Sequence, residues 1–174
     1  MSGTLARFVN AGLLIAERLE WLPPLLVRLF VGYFFFETGW GKIHDLDAFA
    51  ERFVGWGIPF PHFNAALSAY TELAGGALTV VGLAMRAVSI PMMVNMLVAI
   101  ATVKLKTVSG LDDFVELDEP LYLLSFLWLM IAGPGAVSLD HLLGRALGLP
   151  GWASNLARDA RYSRRSPQHS PGGT

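Results

Sequence analysis

The sequence contains no cysteine. Disulfides, thiolate metal sites, cysteine nucleophiles and iron–sulfur ligation are excluded with it. Charge is scarce too: 16% of the 174 residues are charged, against 53% hydrophobic. Soluble chains usually carry about a quarter charged residues. With a mean hydropathy of +0.49, the composition points to a membrane protein. His44, His62, His141 and His169 all fall outside the long apolar runs, so no intramembrane haem is indicated. No His spacing suggests a metal site, and no Ser/His/Asp set falls on one face. Gly75-Gly76 follows no strand, as a phosphate loop would. The N-terminus does not read as a cleaved signal, because Glu17, Arg18 and Glu20 precede the first long apolar run. Nothing resembles a nucleic-acid module, so no nucleic-acid partner is expected.

What is present centres on Leu22–Lys42, an almost wholly apolar stretch. About 20 helical residues cross a hydrocarbon core at 1.5 Å each, so this predicts a first transmembrane helix. Arg28, Glu37 and Lys42 sit in it, and charge there calls for a bundle partner, a wet cavity or a polar interface. Arg28, Gly32, Phe35, Gly39 and Lys42 recur at steps of three and four and share one face, which the glycines open to a close neighbour. Glu37 lies nine residues from Arg28, on the opposite face, so those two cannot pair on one helix. Pro23 and Pro24 suit the first helical turn.

Three further spans are expected, at Asn64–Met85, Arg86–Leu105 and Pro120–Ala132, the last being the shortest. In the second, Ser68, Glu72, Gly75, Thr79 and Gly82 form one small-residue stripe, so Glu72 points into the bundle. In the third, Asn95 is the one strongly polar interior residue, and Pro91 introduces a kink. Short amphipathic helices are expected at residues 1–20, at Asp45–Gly55 and after Ser138. Trp40, Trp56 and Phe60 fit an interfacial aromatic belt. The fold class is therefore all-α: a four-transmembrane-helix bundle over 21–150 with short interfacial helices, preceded by the amphipathic segment 1–20. From Gly151 to Thr174 the chain is basic and Ser/Pro/Gly-rich and reads as a disordered tail.

Four spans place both termini on one side. That side carries Arg7, Arg18, Arg86, Arg145, Arg158, Arg161, Arg164 and Arg165, against Lys42, Arg52, Lys104 and Lys106 opposite. The bias favours both termini in the cytoplasm, and a bacterial cytoplasmic (inner) membrane location. Counted from the helix ends, Glu37 and Glu72 lie about 20 Å deep, Asn95 about 14 Å and Arg28 about 9 Å. Arg28, Asn95 and Glu72 are thus placed for a polar ladder across three helices, with direct Arg28–Glu72 contact needing tilt. Each residue also has a plainer reading. Arg28 snorkels to headgroups; Glu72 is a protonated acid bonding a neighbouring helix; Asn95 is helix-to-helix glue. Glu37 reaches water or a partner chain, and Lys42, Lys104 and Lys106 are interfacial anchors.

Five motifs occur in order: Arg28-Leu29-x-x-Gly32, Gly39-x-x-Lys42, Gly57-Ile58-Pro59-x-Pro61, Glu72-Leu73-x-Gly75-Gly76 and Gly133-Pro134-Gly135-x-x-Ser138-Leu139-Asp140. Over roughly residues 24–143 this resembles the DoxX (DoxX/DoxD-like) family of four-helix integral membrane proteins. The resemblance places Arg28, Lys42 and Glu72 on the family's charged positions. It implies a membrane subunit of an oxidoreductase complex linked to sulfur or oxidative-stress metabolism, beside a redox or sulfur-metabolism enzyme. The acidic loop Thr107–Glu119 departs from the family pattern and would suit a specific partner.

Three functions remain open on the residues. A redox-complex subunit contacting a quinone would hold its carbonyls with Arg28, Asn95, Glu72 and Tyr122; no covalently bound cofactor is expected. A small-molecule or proton-linked carrier would use Glu72, although no inverted repeat supports it. A purely structural anchor would dock a soluble enzyme. The partners common to all three are the lipid bilayer and another protein, and a homo-oligomer is compatible with each.

Overall fold

The computed structural model describes residues 3–148; the tail expected from Gly151 onward lies outside them. Among the described residues the chain is all-helical, with no strand. Its helices are α1 (Gly3–Arg18), α2 (Leu22–His44), α3 (Leu46–Trp56), α4 (Pro61–Val81), α5 (Met85–Thr102), α6 (Leu111–Val115), α7 (Asp118–Ala132) and α8 (Leu139–Ala146). A 3-10 turn at Lys104–Lys106 extends α5.

Most boundaries follow local chemistry. Pro23 and Pro24 occupy the first turn of α2, where their missing N–H groups leave no bond unmade. Ser138 caps α8, its Oγ accepting from the His141 N–H at 3.1 Å. The α4 boundary differs from the sequence-based expectation. The helix begins at Pro61 and stops at Val81, because Gly82 takes a left-handed conformation (φ 68°) and its N–H returns to Leu78 and Thr79. Within the acidic loop, α6 is a helical turn that periodicity did not suggest, and α7 starts at Asp118 rather than Pro120.

The tightest helix pair is α2 against α4, and glycine makes it so. A Cβ on Gly39 would lie 2.4 Å from the Leu73 backbone nitrogen; one on Gly76 would lie 2.3 Å from that of Phe36. Beside this pair, α5 packs on α7. Phe35, Met85, Met92, Met96, Phe126 and Leu129 fill the space between them. Helix α3 is closed by protein rather than left as a free surface helix: Phe49, Ala50 and Phe53 pack on Ala65 and Ala69 of α4.

The outside of the bundle is as apolar as its inside. Phe30 is 75% exposed, Phe63 68% and Leu121 63%. Contiguous apolar exposure of this kind marks a surface that water does not cover. By length and apolarity, Met85–Lys106 is clearly able to cross a bilayer; Arg7–Arg18 and Leu22–His44 together make a second candidate, bent by 48°.

Gly39→Ala is expected to destabilise the protein by about 1–3 kcal/mol, since the new methyl meets backbone that cannot move aside. Gly41→Ala, two residues on with nothing within 4 Å of its Cβ position, should be neutral or stabilising by up to about 1 kcal/mol. Thermal unfolding of the two variants in one detergent checks the contrast; equal melting temperatures would refute the close-approach account.

Candidate functional site: a buried lysine–glutamate pair beside a cleft

Glu72 is 4% exposed and sits midway along α4. Donors from two other helices converge on its carboxylate. Lys42 Nζ and the Thr38 hydroxyl, one turn apart on α2, both donate to Oε2, Thr38 at 3.1 Å. Asn95 Nδ2 of α5 donates to Oε1 at 2.9 Å, and the Ser68 hydroxyl holds the Asn95 amide by donating to its Oδ1 at 2.9 Å. Both carboxylate oxygens therefore accept hydrogen bonds. An ammonium with a carboxylate under one helix turn away also satisfies two charges that neither helix could bury alone.

Lys42 has a second aspect. Its side chain is 28% exposed, and Nζ stands 5.0 Å from the Phe49 ring centroid. It lines a cleft of about 250 Å³ together with Thr38, Gly41, Asp45, Phe49 and Arg52. An ammonium has three N–H donors, and Glu72 takes one of them. The others are free to face the cleft. A larger opening of about 410 Å³, between the end of α1 and α7, is lined mainly by Leu19, Pro23, Pro24 and Trp128 and lies away from this network.

Arg28 belongs elsewhere. It is 2% exposed and bonds backbone carbonyls only: Nε to Thr79 at 3.0 Å, one terminal nitrogen to Val80 at 2.8 Å, the other to Pro134 at 2.8 Å and Val137 at 2.6 Å. The first two are last-turn carbonyls of α4, which lack helical partners and carry the negative end of the helix dipole. Asp140, which acts on Arg28 electrostatically, accepts from the N–H groups of Ala84 and Met85 at 2.7 and 3.0 Å and so caps α5. The expected Arg28–Asn95–Glu72 ladder is thus replaced by two separate networks. The reason is axial distance: Glu72 is level with Gly39, and Arg28 is eleven residues earlier on α2, about 16 Å along the axis.

The remaining residues divide similarly. Asn95 bonds Glu72, and Lys42 is the ion-pair partner of Glu72 rather than an anchor. Tyr122 stacks on Phe34 at 4.9 Å and meets Phe35 edge-on at 5.1 Å, within the apolar core and apart from the network. Glu37 is exposed on the outer face of α2. Lys104 pairs with Glu119 at 2.9 Å, and Lys106 donates to the Trp56 carbonyl at 3.1 Å. Sequence reasoning missed Thr38 and Asp140. Thr38 was detectable as the residue one turn before Lys42 on the same face; Asp140 stood in a motif but is separated by 56 residues from the α5 terminus it caps.

Removing one member of a buried pair strands the other, at about 3–5 kcal/mol. Lys42→Met and Glu72→Gln should each destabilise the chain, Lys42→Met more, since it leaves a carboxylate with no counter-ion. The double variant should recover most of the loss, whereas adding Arg28→Met to Glu72→Gln should worsen it. Melting temperatures in detergent decide; rescue by Arg28→Met would restore the ladder.

The family model for DoxX matches residues 24–105. An uncharacterized membrane protein of Mycobacterium tuberculosis is 31% identical over 136 residues, covering 71% of this chain and 83% of its own length. CatD of Bacillus subtilis, provisionally named an oxidoreductase, is 34% identical over 120 residues, 68% of this chain and 85% of its own length. No solved structure matches. The match spans both halves of the Lys42–Glu72 pair, and the chain is a membrane protein that belongs to the DoxX family.

Proposed function

We propose that the chain is a multi-pass subunit of a membrane oxidoreductase complex and that the cleft beside Lys42 is where it meets its ligand. The observation that carries this is the Lys42 ammonium. Glu72, itself held by Thr38 and Asn95, fixes it, yet it keeps donors facing an open cleft. The provisional oxidoreductase name of CatD supports the redox assignment. In this reading α2, α4, α5 and α7 are the four spans of a bacterial inner-membrane protein with both termini cytoplasmic. At 23, 21, 18 and 15 residues they measure about 34, 31, 27 and 22 Å. The exposed apolar faces would lie in lipid, with Asp118 and Glu119 in the first turn of α7 at the interface.

A quinone head group fits the chemistry of the cleft. Lys42 and Arg52 offer donors to a carbonyl oxygen, and the Phe49 ring offers an apolar wall. The open volume suits a head group rather than a whole isoprenoid molecule, whose tail would remain in lipid. When bound, a quinone would supply the electron-accepting chemistry; the chain would orient one carbonyl oxygen. No side chain of the described network is itself a redox group, so electrons would come from a partner enzyme, and the acidic loop Thr107–Glu119 offers that partner a charged surface.

Two measurements test this. Reporter fusions at Thr174 and within the 107–119 loop should be active in the cytoplasm and outside it respectively; the reverse pattern overturns the topology. A mild-detergent pull-down should yield a redox enzyme with quinone-dependent turnover. Lys42→Met paired with Glu72→Gln, which preserves the fold, should lower that turnover roughly tenfold or more, the worth of one lost charge-assisted hydrogen bond. Full turnover by that double variant would remove the cleft from the mechanism.

A further inference from the structure

Four charged residues lie in the interior of α2 and α4: Arg28, Glu37, Lys42 and Glu72. Three are satisfied inside the chain. Arg28 is enclosed by carbonyls, and Lys42 pairs with Glu72. Glu37 is the exception. It is exposed on the outward face, and the described residues give its carboxylate no hydrogen bond or ion pair. Its position is seven residues before the end of α2, about 10 Å below that end. An ionisable group on the lipid side of a span is rare because hydrocarbon offers it nothing.

The residues around Glu37 form a pattern. Leu26, Phe30, Tyr33, Glu37, Trp40 and His44 recur at steps of four, three, four, three and four. That is the 3.5-residue spacing of a helix–helix seam. Phe30, Tyr33 and Trp40 are 75, 62 and 54% exposed. Thus α2 carries two stripes. The inner one, from Arg28 to Lys42, is filled by α4, and the outer one is unfilled.

We infer that the outer stripe of α2 is a homodimer seam, in which Glu37 of each copy is held by the α2 helix of a second copy of this chain. This rests on the reading of α2 as a membrane span. The stripe supplies what it needs to pair with itself. Glu37 is an acceptor, and it stands between two donors on the same stripe, the Tyr33 hydroxyl one turn before and the Trp40 indole N–H one turn after. A twofold axis along the membrane normal sets like heights together, so that each residue met by its counterpart meets it reciprocally. Each Glu37 then lies within a turn of the donors on the facing helix, and the large rings at positions 30, 33 and 40 interlock.

The natural absence of cysteine makes the test clean. Leu26→Cys and Phe30→Cys, on the stripe, and Leu124→Cys, 60% exposed on α7, are each introduced alone into the full chain in bacterial membranes. Mild oxidation should give a disulfide-linked product of twice the chain mass from the first two and none from Leu124→Cys. Adding Glu37→Leu should reduce that product roughly three- to tenfold, the range expected for lost interhelical hydrogen bonds. Adding Glu37→Gln, which keeps an acceptor and a similar shape, should leave it within about twofold. Absence of dimer at both stripe positions, or cross-linking mainly to a different protein, overturns the proposal, as does an unchanged yield with Glu37→Leu. A membrane-impermeant maleimide on the reduced Phe30→Cys chain separates the two levels of the argument. Labelling refutes the span itself; an unlabelled but uncross-linked chain refutes the dimer alone.

Discussion

Gly39 lies against the backbone of Glu72 and Leu73, and that contact sets the height of every polar group in the bundle. With any larger residue there, the two helix axes would separate. Lys42 would then reach Glu72 only by stretching through a widened gap. Because the backbones touch, Thr38, one residue before the contact, and Lys42, three after it, both reach the same carboxylate oxygen. Asn95 closes the set from α5, so a change in the α2–α4 spacing is felt at once by a third helix. In lipid, where burying apolar surface gains little between helices, close packing and such hydrogen bonds carry association.

A second constraint acts at the other end of the same helix pair. The last carbonyls of α4 and the loop carbonyls of Pro134 and Val137 need donors that the backbone cannot supply. Arg28 provides them from a third direction, and Gly82 leaves room for it: a Cβ at that position would lie 2.5 Å from the guanidinium carbon. Asp140 completes the joint by capping α5 and returning its own N–H to the Gly82 carbonyl at 3.0 Å. Four segments distant in sequence are thus locked by one cation and one anion, each bonded to backbone.

The helical plan was legible because apolar runs, prolines and glycines act locally. Gly32 and Gly39 marked one face of α2 for a close neighbour, and Glu72 on the small-residue stripe was placed inward by its spacing alone. The pairing of charges was not legible, for a reason of geometry. Depth counted from assumed helix ends inherits their error, and α4 ends at Val81 rather than Met85, four residues or about 6 Å away. The larger error is that the two helix ends are not level: the last turn of α4 bonds Arg28, six residues into α2, so Glu72 meets Lys42 and not Arg28. Arg28 could not be assigned either, because carbonyls in a loop leave no side-chain signature. Tyr122 was chosen for its hydroxyl, whereas ring packing against Phe34 and Phe35 decides its place.

The two ends of the bundle therefore differ in kind. At the Arg28 end the ligands of the charge are main-chain carbonyls, which can be exchanged only by unwinding α4 or lifting the Gly133–Val137 loop. A site built that way is fixed. At the Lys42 end every partner is a side chain: a carboxylate, a hydroxyl and an amide, each with rotamers to change. Lys42 is also the more exposed member of its pair, at 28% against 5% for Glu72. A ligand in the adjoining cleft can thus compete for the ammonium while the helices stay where the glycines hold them. Of these two charged joints, the one at Lys42 combines a rigid frame with exchangeable partners.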